Sequence, residues 1–334
     1  MVENKENLYL NKVINPSIKY HIKNKFLNFI YRHIKYLFIL CLLICFLFFC
    51  KDHFNNILLN PKSKLDFTNY QLYKYKEIRE KLMESKCSFM WSNQREFLNG
   101  IIRKFKPLKI LEIGVYRGGS SIIILNAIED IQGSKLFSID LDSNKFIGTC
   151  VNEYFPKFLK NWHFFKGNFA TEYMEKIGNN IDLAFFDTAH FEPGEILDFL
   201  IALPFLRKEA IVIFHDIAGQ ITSDPFKRNE WAPYIIFNAI RGQKFFPTGN
   251  CSLKQNIGAI KLEKDQKKYY KDYFRLLGGQ WQYFPKEIYI NQTRKFFKKY
   301  YDEECLMIFE EAVSFNRDFV RRHPKSRTDK LNAG

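Results

Sequence analysis

Downstream of Pro107 the sequence alternates short apolar runs with stretches of helical periodicity, and this alternation limits the possible folds more than any other feature. LKILEIG (Leu108–Gly114) and IDLAFFD (Ile181–Asp187) are typical of buried strands, because each is an apolar run that ends at Gly or Asp. Similar runs predict four more strands: LFSID (Leu136–Asp140), WHFFKG (162–167), AIVIFHD (Ala210–Asp216) and NIGAIKL (Asn256–Leu262). Helices are predicted between them, at 121–131, 170–177 and 195–206. The pattern predicts an α/β fold with a doubly wound, mostly parallel sheet.

The charge of the chain does not favour a nucleic-acid partner. Its 51 Lys and Arg exceed its 36 Asp and Glu, which gives a net charge of +15. Nucleic-acid-binding domains concentrate basic residues in one patch or motif. Here the basic residues are interleaved with acidic ones, without an arginine-rich run or a zinc-finger spacing. We therefore expect no nucleic acid among the partners of this chain.

The cysteines do not form a recognisable framework. There are seven, an odd number, and none stands in a CxxC or Cys/His metal-binding spacing. Three of them, Cys41, Cys45 and Cys50, lie in one apolar segment. This distribution argues against disulfides and fits a reduced compartment. We expect the cysteines to serve as small apolar side chains.

A membrane anchor is predicted at 36–50, where YLFILCLLICFLFFC contains no charged residue. As a helix these residues span roughly 22 Å, less than the hydrocarbon core of about 30 Å. Extension upstream to Phe26 closes the gap if Arg32 and Lys35 reach the interface. A cleaved signal peptide and an apolar core helix are the alternatives. An uncleaved anchor is favoured because no small-residue cleavage site follows the segment.

The orientation of this anchor is ambiguous in the sequence. Seven Lys and Arg precede the segment, whereas only Lys51, Lys62 and Lys64 follow it closely. The positive-inside rule then places the large domain outside the cytosol. The chemistry inferred below favours the cytosol, and a helix lying in the membrane interface would reconcile the two. We expect a membrane-anchored protein whose catalytic domain faces the cytoplasm.

Changes in composition divide the chain into five parts. A basic N-terminal segment at 1–35 precedes the anchor at 36–50. A polar linker with a lead-in helix follows at 51–86. The α/β domain then occupies 87–265, and the chain ends in a helical extension with a basic tail at 266–334.

The stretch LEIGVYRGGSS follows the first predicted strand and does not fit the dinucleotide motif G-x-G-x-x-G, because position 116 is Tyr. Gly114 permits a tight turn, and Gly118 permits close approach of the backbone to a ligand. Glu112 is an acid in a buried strand and therefore needs a partner. A ligand amino group would serve, and so would neighbouring backbone amides.

Four more polar groups follow strand ends, where ligands bind in doubly wound folds. Asp140 ends the second strand and suits the hydroxyls of a ribose, or caps the next helix. Asn168 and Phe169 follow the third strand and suit an adenine edge and face, or a helix cap and a core position. The remaining two groups, Asp187 with His190 and His215 with Asp216, suit a general base or a divalent cation.

Taken in order, E-x-G-x-x-x-G-G-S, the acid ending strand two, D-x-x-H and the His-Asp pair resemble class I S-adenosylmethionine-dependent methyltransferases. The similarity is to the branch that includes catechol O-methyltransferase-like and cephalosporin-hydroxylase-like enzymes, and it covers roughly Trp91 to Leu262. It implies a Rossmann-like methyltransferase fold, S-adenosylmethionine as cofactor and a hydroxyl as methyl acceptor.

The resemblance implies a cofactor site along the first three strands. Glu112 and the loop that contains Gly114, Tyr116 and Gly118 would face the methionine end of the cofactor, with Ser120 nearby. Asp140 would hold the ribose, and Asn168 and Phe169 the adenine.

The resemblance also implies where chemistry occurs. Asp187 matches a family acid that binds Mg²⁺ in the metal-dependent members, and His215 and Asp216 stand where those members carry Asp-Asn. These three residues form the predicted metal site for a possible Mg²⁺. His190 replaces a catalytic Lys and is the predicted general base, because imidazole titrates near neutral pH. Ala189 departs from a related D-x-D-H pattern.

The sequence therefore predicts an O-methyltransferase that acts on a sugar, glycan or small metabolite near the membrane. Two alternatives stay open: a non-catalytic, membrane-tethered binding module with the same fold, and a Rossmann-type nucleotide-dependent oxidoreductase. The oligomeric state is not predicted.

Overall fold

Seven strands form one sheet in the computed structural model, which describes residues 72–85, 87–218, 231–247 and 256–322. The order across the sheet is β3-β2-β1-β4-β5-β7-β6, and β7 is antiparallel to both neighbours while the other pairs are parallel. This arrangement confirms the predicted doubly wound, mostly parallel sheet. The strands are β1 Lys109–Ile113, β2 Lys135–Asp140, β3 Trp162–Lys166, β4 Ile181–Phe186, β5 Leu206–His215, β6 Gly242–Phe245 and β7 Ile257–Leu262. The sequence did not predict β6, since GQKF lacks an apolar run.

Helices cover both faces of the sheet, and each face has its own apolar cluster. The first face carries α1 Leu72–Glu84, α2 Ser92–Phe105, α3 Gly119–Ala127 and α4 Thr149–Tyr154. The second carries α5 Met174–Ile177, α6 Gly194–Ala202, α7 Ala232–Ala239, α8 Tyr270–Arg275, α9 Glu287–Tyr300 and α10 Glu303–Arg322. The C-terminal helices were predicted as additions outside the sheet. This C-terminal segment packs into the apolar cluster of the second face, where Trp281, Phe297 and Phe309 are completely buried.

The N-terminal predictions fall largely outside the described residues. Helix α1 coincides with the predicted lead-in helix. The predicted anchor at 36–50 precedes the described ranges. Within those ranges no helix combines the length and apolar character that a membrane crossing requires.

Strand order creates the position where a ligand can bind. The chain passes from β1 to β2 on one side and later returns to place β4 on the other side of β1. The connections that follow β1 and β4 therefore diverge at the carboxyl edge of the sheet, which leaves a crevice there. Gly114 lies at this point, directly after β1, with φ of +92°. A Cβ atom on Gly114 would lie 1.9 Å from the carbonyl oxygen of Asp187.

A disulfide joins Cys87 to Cys150, which corrects the expectation that the cysteines are only small apolar side chains. The two residues are 63 positions apart, and the fold brings their Cα atoms to 6.0 Å. Sequence spacing could not reveal the pair, because the proximity arises from packing α4 beside the segment before α2. A cross-link that closes a loop of this length can stabilise the fold by up to about 4 kcal/mol. Of the described cysteines only Cys305 is free, and it is buried.

Gly114 and Gly133 provide a matched test of the crevice. Both have positive φ, but a Cβ on Gly133 would meet nothing within 4 Å. Gly133→Ala should therefore cost only the left-handed strain of about 1–2 kcal/mol. Gly114→Ala should cost more, since its Cβ overlaps the backbone at Asp187. The measurement is the free energy of unfolding in denaturant, and equal losses in the two variants would contradict the close approach of β1 and β4.

Candidate active site

The loop between β1 and α3 is shaped by left-handed backbone conformations and by an acid from β2. Gly114, Tyr116 and Gly118 have φ of +92°, +47° and +96°. Oδ2 of Asp140 accepts hydrogen bonds from the amides of Val115 and Tyr116, each at 2.9 Å. One carboxylate oxygen of Asp140, the residue predicted to bind a ribose, is therefore already hydrogen-bonded to the loop. Asp140 fixes the shape of the loop whether or not it also binds a ribose.

Glu112 lies behind the loop, enclosed by hydroxyl groups. Its Oε1 accepts a hydrogen bond from Ser120, and its Oε2 accepts from Ser121 and Ser138, all at 2.6 Å. The indole of Trp162 donates to Ser138 at 2.8 Å and extends this network. Burial raises the pKa of Glu112 to about 7, although the three hydroxyls oppose this shift. The carboxyl group thus supports Ser120 from within the protein, whereas the sequence predicted that it faces the methionine end of a ligand.

Gly119, the third glycine of the loop, makes room for protein rather than for a ligand. A Cβ on Gly119 would lie 2.3 Å from the carbonyl oxygen of Cys87. The segment from Cys87 to Met90 therefore lies directly on the start of α3. Phe89 on this segment is 75% exposed, and its ring centroid is 5.9 Å from that of Tyr116. These two aromatic rings form an apolar rim beside the loop.

Asp187, His190 and Asp216 converge beside the loop at the ends of β4 and β5. Nε2 of His190 is 3.2 Å from Oδ2 of Asp216 and 4.0 Å from Oδ1 of Asp187. Each of the three residues can offer one ligand atom such that all three atoms lie within 4.8 Å of one another. The structure thus brings Asp187 and His190, predicted after β4, together with Asp216, predicted after β5.

His215 lies beside this cluster and contacts both acids. Its Nδ1 is 3.4 Å from Oδ1 of Asp187 and 3.2 Å from Oδ2 of Asp216. The sequence grouped His215 with the two acids as metal ligands. In the structure the compact donor set instead contains His190, because the turn after β4 carries its imidazole to Asp216.

Carboxylates raise the pKa of both imidazoles. Burial alone would lower the pKa of His190, but the proximity of Glu195, Asp216 and Asp187 raises it to about 9. Burial likewise opposes the effect of Asp187 and Asp216 on His215, whose pKa is raised to about 10. His190 therefore carries a proton at neutral pH in this arrangement. His190 can act as a base only after it loses that proton. The prediction from sequence assumed an imidazole with an unshifted pKa, and it therefore did not include this step.

Asp216 is held in a strained conformation. Its φ is +54°, which non-glycine residues rarely adopt. Nδ2 of Asn256 donates a hydrogen bond to Oδ1 of Asp216, and Oδ1 of Asn256 accepts from the amide of Ala218 at 2.9 Å. Burial raises the pKa of Asp216, but His215 and His190 outweigh it, and the net shift is downward. Strained, over-determined residues of this kind concentrate at functional sites.

A cavity of about 380 Å³ unites the loop with the charged cluster. Seven residues predicted as site residues line it: Gly114, Tyr116, Ser120, Asp187, His190, His215 and Asp216. Glu112, Gly118, Asp140, Asn168 and Phe169 do not. Nε2 of His215 and Nδ1 of His190 have no hydrogen-bond partner among the described residues. Such buried, unpaired nitrogen atoms indicate a site that binds something further.

The residues predicted to hold an adenine lie along the carboxyl edge of β3. Asn168 is exposed, and its Nδ2 is 3.4 Å from the hydroxyl of Tyr173. Phe169 stacks on Tyr289 of α9 with ring centroids 5.4 Å apart. One face of Phe169 is therefore covered by the C-terminal helices, while Asn168 remains accessible.

Residues 111–217, from β1 to the end of β5, match the family model described as a methyltransferase domain. The match covers 107 of the 334 residues of the chain. The match confirms the predicted resemblance to class I S-adenosylmethionine-dependent methyltransferases and the enzyme class that follows from it. No curated protein matches the chain significantly.

Solved structures of methyltransferases are distantly similar to the chain. An O-methyltransferase from Bacillus cereus in complex with SAH is 14% identical, with 64% of this chain and 97% of that chain covered and a TM-score of 0.41. The O-methyltransferase TomG from Streptomyces achromogenes, involved in tomaymycin synthesis and in complex with SAM, is 15% identical over 59% and 99%, with a TM-score of 0.42. The SAH-bound methyltransferase PaMTH1 from Podospora anserina is 14% identical over 64% and 95%, with a TM-score of 0.42. The assignment of the domain depends on the sequence match and not on these values.

The donor set of the methyltransferase domain fits a divalent cation. Asp187 and Asp216 supply carboxylate oxygens, which Mg²⁺ and Mn²⁺ prefer. The imidazole of His190 adds a nitrogen, which shifts the preference of the set from Mg²⁺ toward Mn²⁺ and the softer transition metals. The three donors do not require the acid that Ala189 replaces.

Sequence reasoning missed several residues that complete the site. Phe89 and Met90 line the cavity although they precede the first predicted strand. Asn256, at the start of β7, holds Asp216 in place. Glu195 is completely buried 3.9 Å from His190. The one available signal for Glu195 was an acid in a predicted helix, EILDFLIA, in which all residues except Glu195 and Asp198 are apolar.

The pKa of Glu112 predicts a specific dependence of stability on pH. The folded protein binds a proton on Glu112 up to about pH 7, whereas the unfolded chain releases it near pH 4.5. Folding stability should therefore fall as the pH rises through this window, by at most on the order of 3 kcal/mol. Glu112→Gln cannot ionise and keeps an amide that can bond to the serine hydroxyls.

We expect the unfolding free energy of wild type relative to Glu112→Gln to decrease between pH 4.5 and 7.5 in denaturant titrations. Ser134→Ala serves as a control, because this buried hydroxyl bonds a backbone carbonyl and not a titrating group. A constant difference between wild type and Glu112→Gln over that range would contradict the raised pKa.

Proposed function

We propose that this protein transfers a methyl group from S-adenosylmethionine to a hydroxyl of a sugar, glycan or small metabolite at a membrane. One observation supports the proposal more than any other: the glycine loop and the cluster of Asp187, His190 and Asp216 line the same cavity. A cofactor held at the loop and an acceptor held at the cluster would meet there. Enzymes that transfer groups between two bound molecules depend on such alignment.

The proposed reaction requires alignment and one proton acceptor. S-adenosylmethionine, when bound, would supply the methyl group, whose bond to the sulfonium sulfur would break as its bond to the acceptor oxygen forms. The hydroxyl proton passes to Nε2 of His190, which faces Asp216 and the cleft. His190 must first lose the proton that its surrounding carboxylates stabilise. The positive charge of the bound cofactor would favour that loss, because like charges lower an imidazole pKa.

A divalent cation would assist at the same place. Asp187 and Asp216 would hold it, with Nε2 of His190 as the third ligand or the neighbouring base. A cation bound there acidifies a coordinated hydroxyl. Metal binding would also displace protons from the imidazoles, since ligating histidines must be neutral.

The non-catalytic alternative is less well supported by the site. A binding module needs no strained Asp216 and no buried imidazoles without hydrogen-bond partners. These features cost stability and are typical of a reacting centre. The oxidoreductase alternative lacks the glycine that a dinucleotide motif requires at Tyr116.

The proposed activity can be tested with variants of His190 and Asp187 and with a control variant at a histidine outside the cavity. We expect His190→Gln and Asp187→Asn to bind S-adenosylmethionine with nearly unchanged affinity in calorimetry and to lose about 10²–10⁴-fold in methyl transfer. The acceptor is first identified with radiolabelled S-adenosylmethionine on membrane glycan and lipid extracts. His163→Gln is the control, because His163 stacks on Phe137 away from the cavity.

Two results would count against the proposal in different ways. Undiminished transfer by both site variants would remove the assigned roles of His190 and Asp187. Failure of wild type to bind S-adenosylmethionine would remove the function itself. Added EDTA followed by Mn²⁺ or Mg²⁺ tests whether a cation is required.

For the location we propose a membrane anchor at 36–50 with the domain on the side away from the cytosol. The disulfide between Cys87 and Cys150 supports this side, because disulfides persist in oxidising compartments. The excess of Lys and Arg before the segment favours the same orientation. Both arguments oppose the cytoplasmic orientation that the cofactor supply suggested. The enzyme would then need S-adenosylmethionine on that side of the membrane.

Thiol labelling and protease protection in native membranes test this location. We expect the domain to resist protease added from the cytosolic side. After denaturation without reductant, Cys87 and Cys150 should resist alkylation while Cys305 reacts and serves as the internal control. Cleavage from the cytosolic side together with free thiols at Cys87 and Cys150 would establish the opposite orientation.

A further inference from the structure

Two separate segments of the chain pack against the consecutive glycines of the loop between β1 and α3. A Cβ on Gly118 would lie 2.9 Å from Cγ2 of Val151 in α4. A Cβ on Gly119 would lie 2.3 Å from the carbonyl oxygen of Cys87 and 2.7 Å from Cα of Ser88. Protein therefore covers both glycines, and neither position can hold a side chain without a shift of one of the two segments.

α4 is hydrogen-bonded to the loop, whereas the segment upstream of α2 is not. The amide of Cys150 donates a hydrogen bond to the carbonyl of Arg117 in the loop at 3.0 Å. No backbone hydrogen bond joins residues 87–90 to the loop or to α4 within the described ranges. The disulfide between Cys87 and Cys150 makes that connection instead. It therefore holds the upstream segment to the loop through α4.

The upstream segment is part of the wall of the cavity. Residues 87–90 line the cavity together with Gly114, Tyr116 and Gly119 of the loop. The disulfide is located at the base of this wall, where Cys87 is buried. The position of the wall relative to the loop therefore depends on where the disulfide holds it.

The disulfide also closes a ring of contacts around the loop. Cys150 is bonded to the loop at Arg117, the loop reaches Gly119, and Gly119 packs on Cys87, which returns to Cys150. Loops that bind ligands are usually among the least stable parts of a fold. A closed ring restricts the movement of such a loop in addition to stabilising the fold as a whole. Loops that are held in their binding shape bind ligands more tightly.

We propose that Cys87 and Cys150 are a positioning pair, whose disulfide keeps the glycine loop and residues 87–90 in the shape that binds S-adenosylmethionine. The identity of the ligand rests on the proposed function, whereas the restriction of the loop does not. Without the disulfide, residues 87–90 move away from Gly119 and the cavity widens. A site that holds its binding shape for only part of the time has a proportionally weaker apparent affinity.

Hydrogen–deuterium exchange of the full-length chain tests the restriction without any ligand. We expect the double variant Cys87→Ala/Cys150→Ala to exchange the amides of residues 88–90 and 115–120 faster than wild type, and the amides of the sheet less so. Ile290→Ala is the control for a general loss of stability, because Ile290 is completely buried in the apolar cluster of the second face. It should not accelerate exchange of the loop in particular.

Calorimetry with S-adenosylmethionine gives the second readout, at a temperature where each variant is folded. A loop that holds its shape for about one tenth of the time should bind about 10-fold more weakly. We expect this loss in the double cysteine variant and an unchanged affinity in Ile290→Ala. Dithiothreitol, which reduces the disulfide to two thiols and becomes a cyclic disulfide, should produce the same loss in wild type. Reoxidation of the two thiols should restore the affinity, which a loss due to misfolding would not explain.

Gly119→Ala tests the packing with the disulfide intact. Gly119 is not among the glycines with positive φ, so a methyl group there adds no left-handed strain. It would instead push against Cys87 and Ser88. We expect Gly119→Ala to weaken S-adenosylmethionine binding in the disulfide-bonded protein and to have little further effect in the double cysteine variant, where the segment is free to yield. A methyl group that simply obstructs the ligand would cost the same in both backgrounds.

The outcomes separate this proposal from the proposed function. Equal affinity with and without the disulfide, or an equal cost of Gly119→Ala in both backgrounds, would overturn the positioning role. If the double cysteine variant does not fold, unchanged affinity in Gly119→Ala overturns it as well. Failure of wild type to bind S-adenosylmethionine argues against the proposed function, and the exchange of the loop then decides on the disulfide.

Discussion

The close approach of β1 and β4 at Gly114 and Asp187 is the constraint on which the site depends. Because no side chain separates the two strand ends, the loop after β1 and the turn after β4 open from one point. The loop continues into α3 with its amides fixed by Asp140. The turn continues to His190. One small residue therefore brings the part suited to a cofactor within reach of the part suited to an acceptor.

The carboxylates at this edge of the sheet have two different kinds of neighbour. Glu112 is surrounded by neutral hydroxyls, so it remains poised between its charged and neutral forms. Asp216 and Glu195 are instead opposed by imidazoles, whose raised pKa reflects that pairing. The first arrangement supports a rigid loop. In the second arrangement the imidazoles of His190 and His215 carry protons that a bound cation or sulfonium can displace. A group-transfer site needs this property.

The regular part of the fold was predictable, because its signals are local. LKILEIG and IDLAFFD are apolar runs that only a buried parallel sheet accommodates. The ends of IDLAFFD and AIVIFHD also located Asp187, His190 and Asp216. The short strand β6 has no such signal, and it exists because β7 offers it a free edge. The C-terminal helices were predictable only as helices outside the sheet, since aromatic residues such as Trp281 and Phe297 do not reveal from sequence which surface they cover.

Non-local pairing accounts for the other differences. Cys87 meets Cys150 only after the sheet and α4 have formed. The choice of His190 over His215 in the compact donor set depends on the direction of one turn. Glu195 lies beside His190 and Asn256 donates a hydrogen bond to Asp216, and no spacing rule identifies either residue. Patterns of residue type locate candidate ligand-binding side chains, but they do not locate the residues that lie behind those side chains.

The residues matched by the methyltransferase family model do not include the whole lining of the cavity. Phe89 and Met90 lie upstream of residue 111, and Asn256, which fixes Asp216, lies downstream of residue 217. The disulfide links the segment that carries Phe89 and Met90 to α4, beside the glycine loop. The matched segment thus contains β1 to β5, the glycine loop and the cluster of Asp187, His190 and Asp216, whereas β6 and β7 lie outside it. Flanking segments of this chain complete the cavity, so the fold alone does not name the substrate.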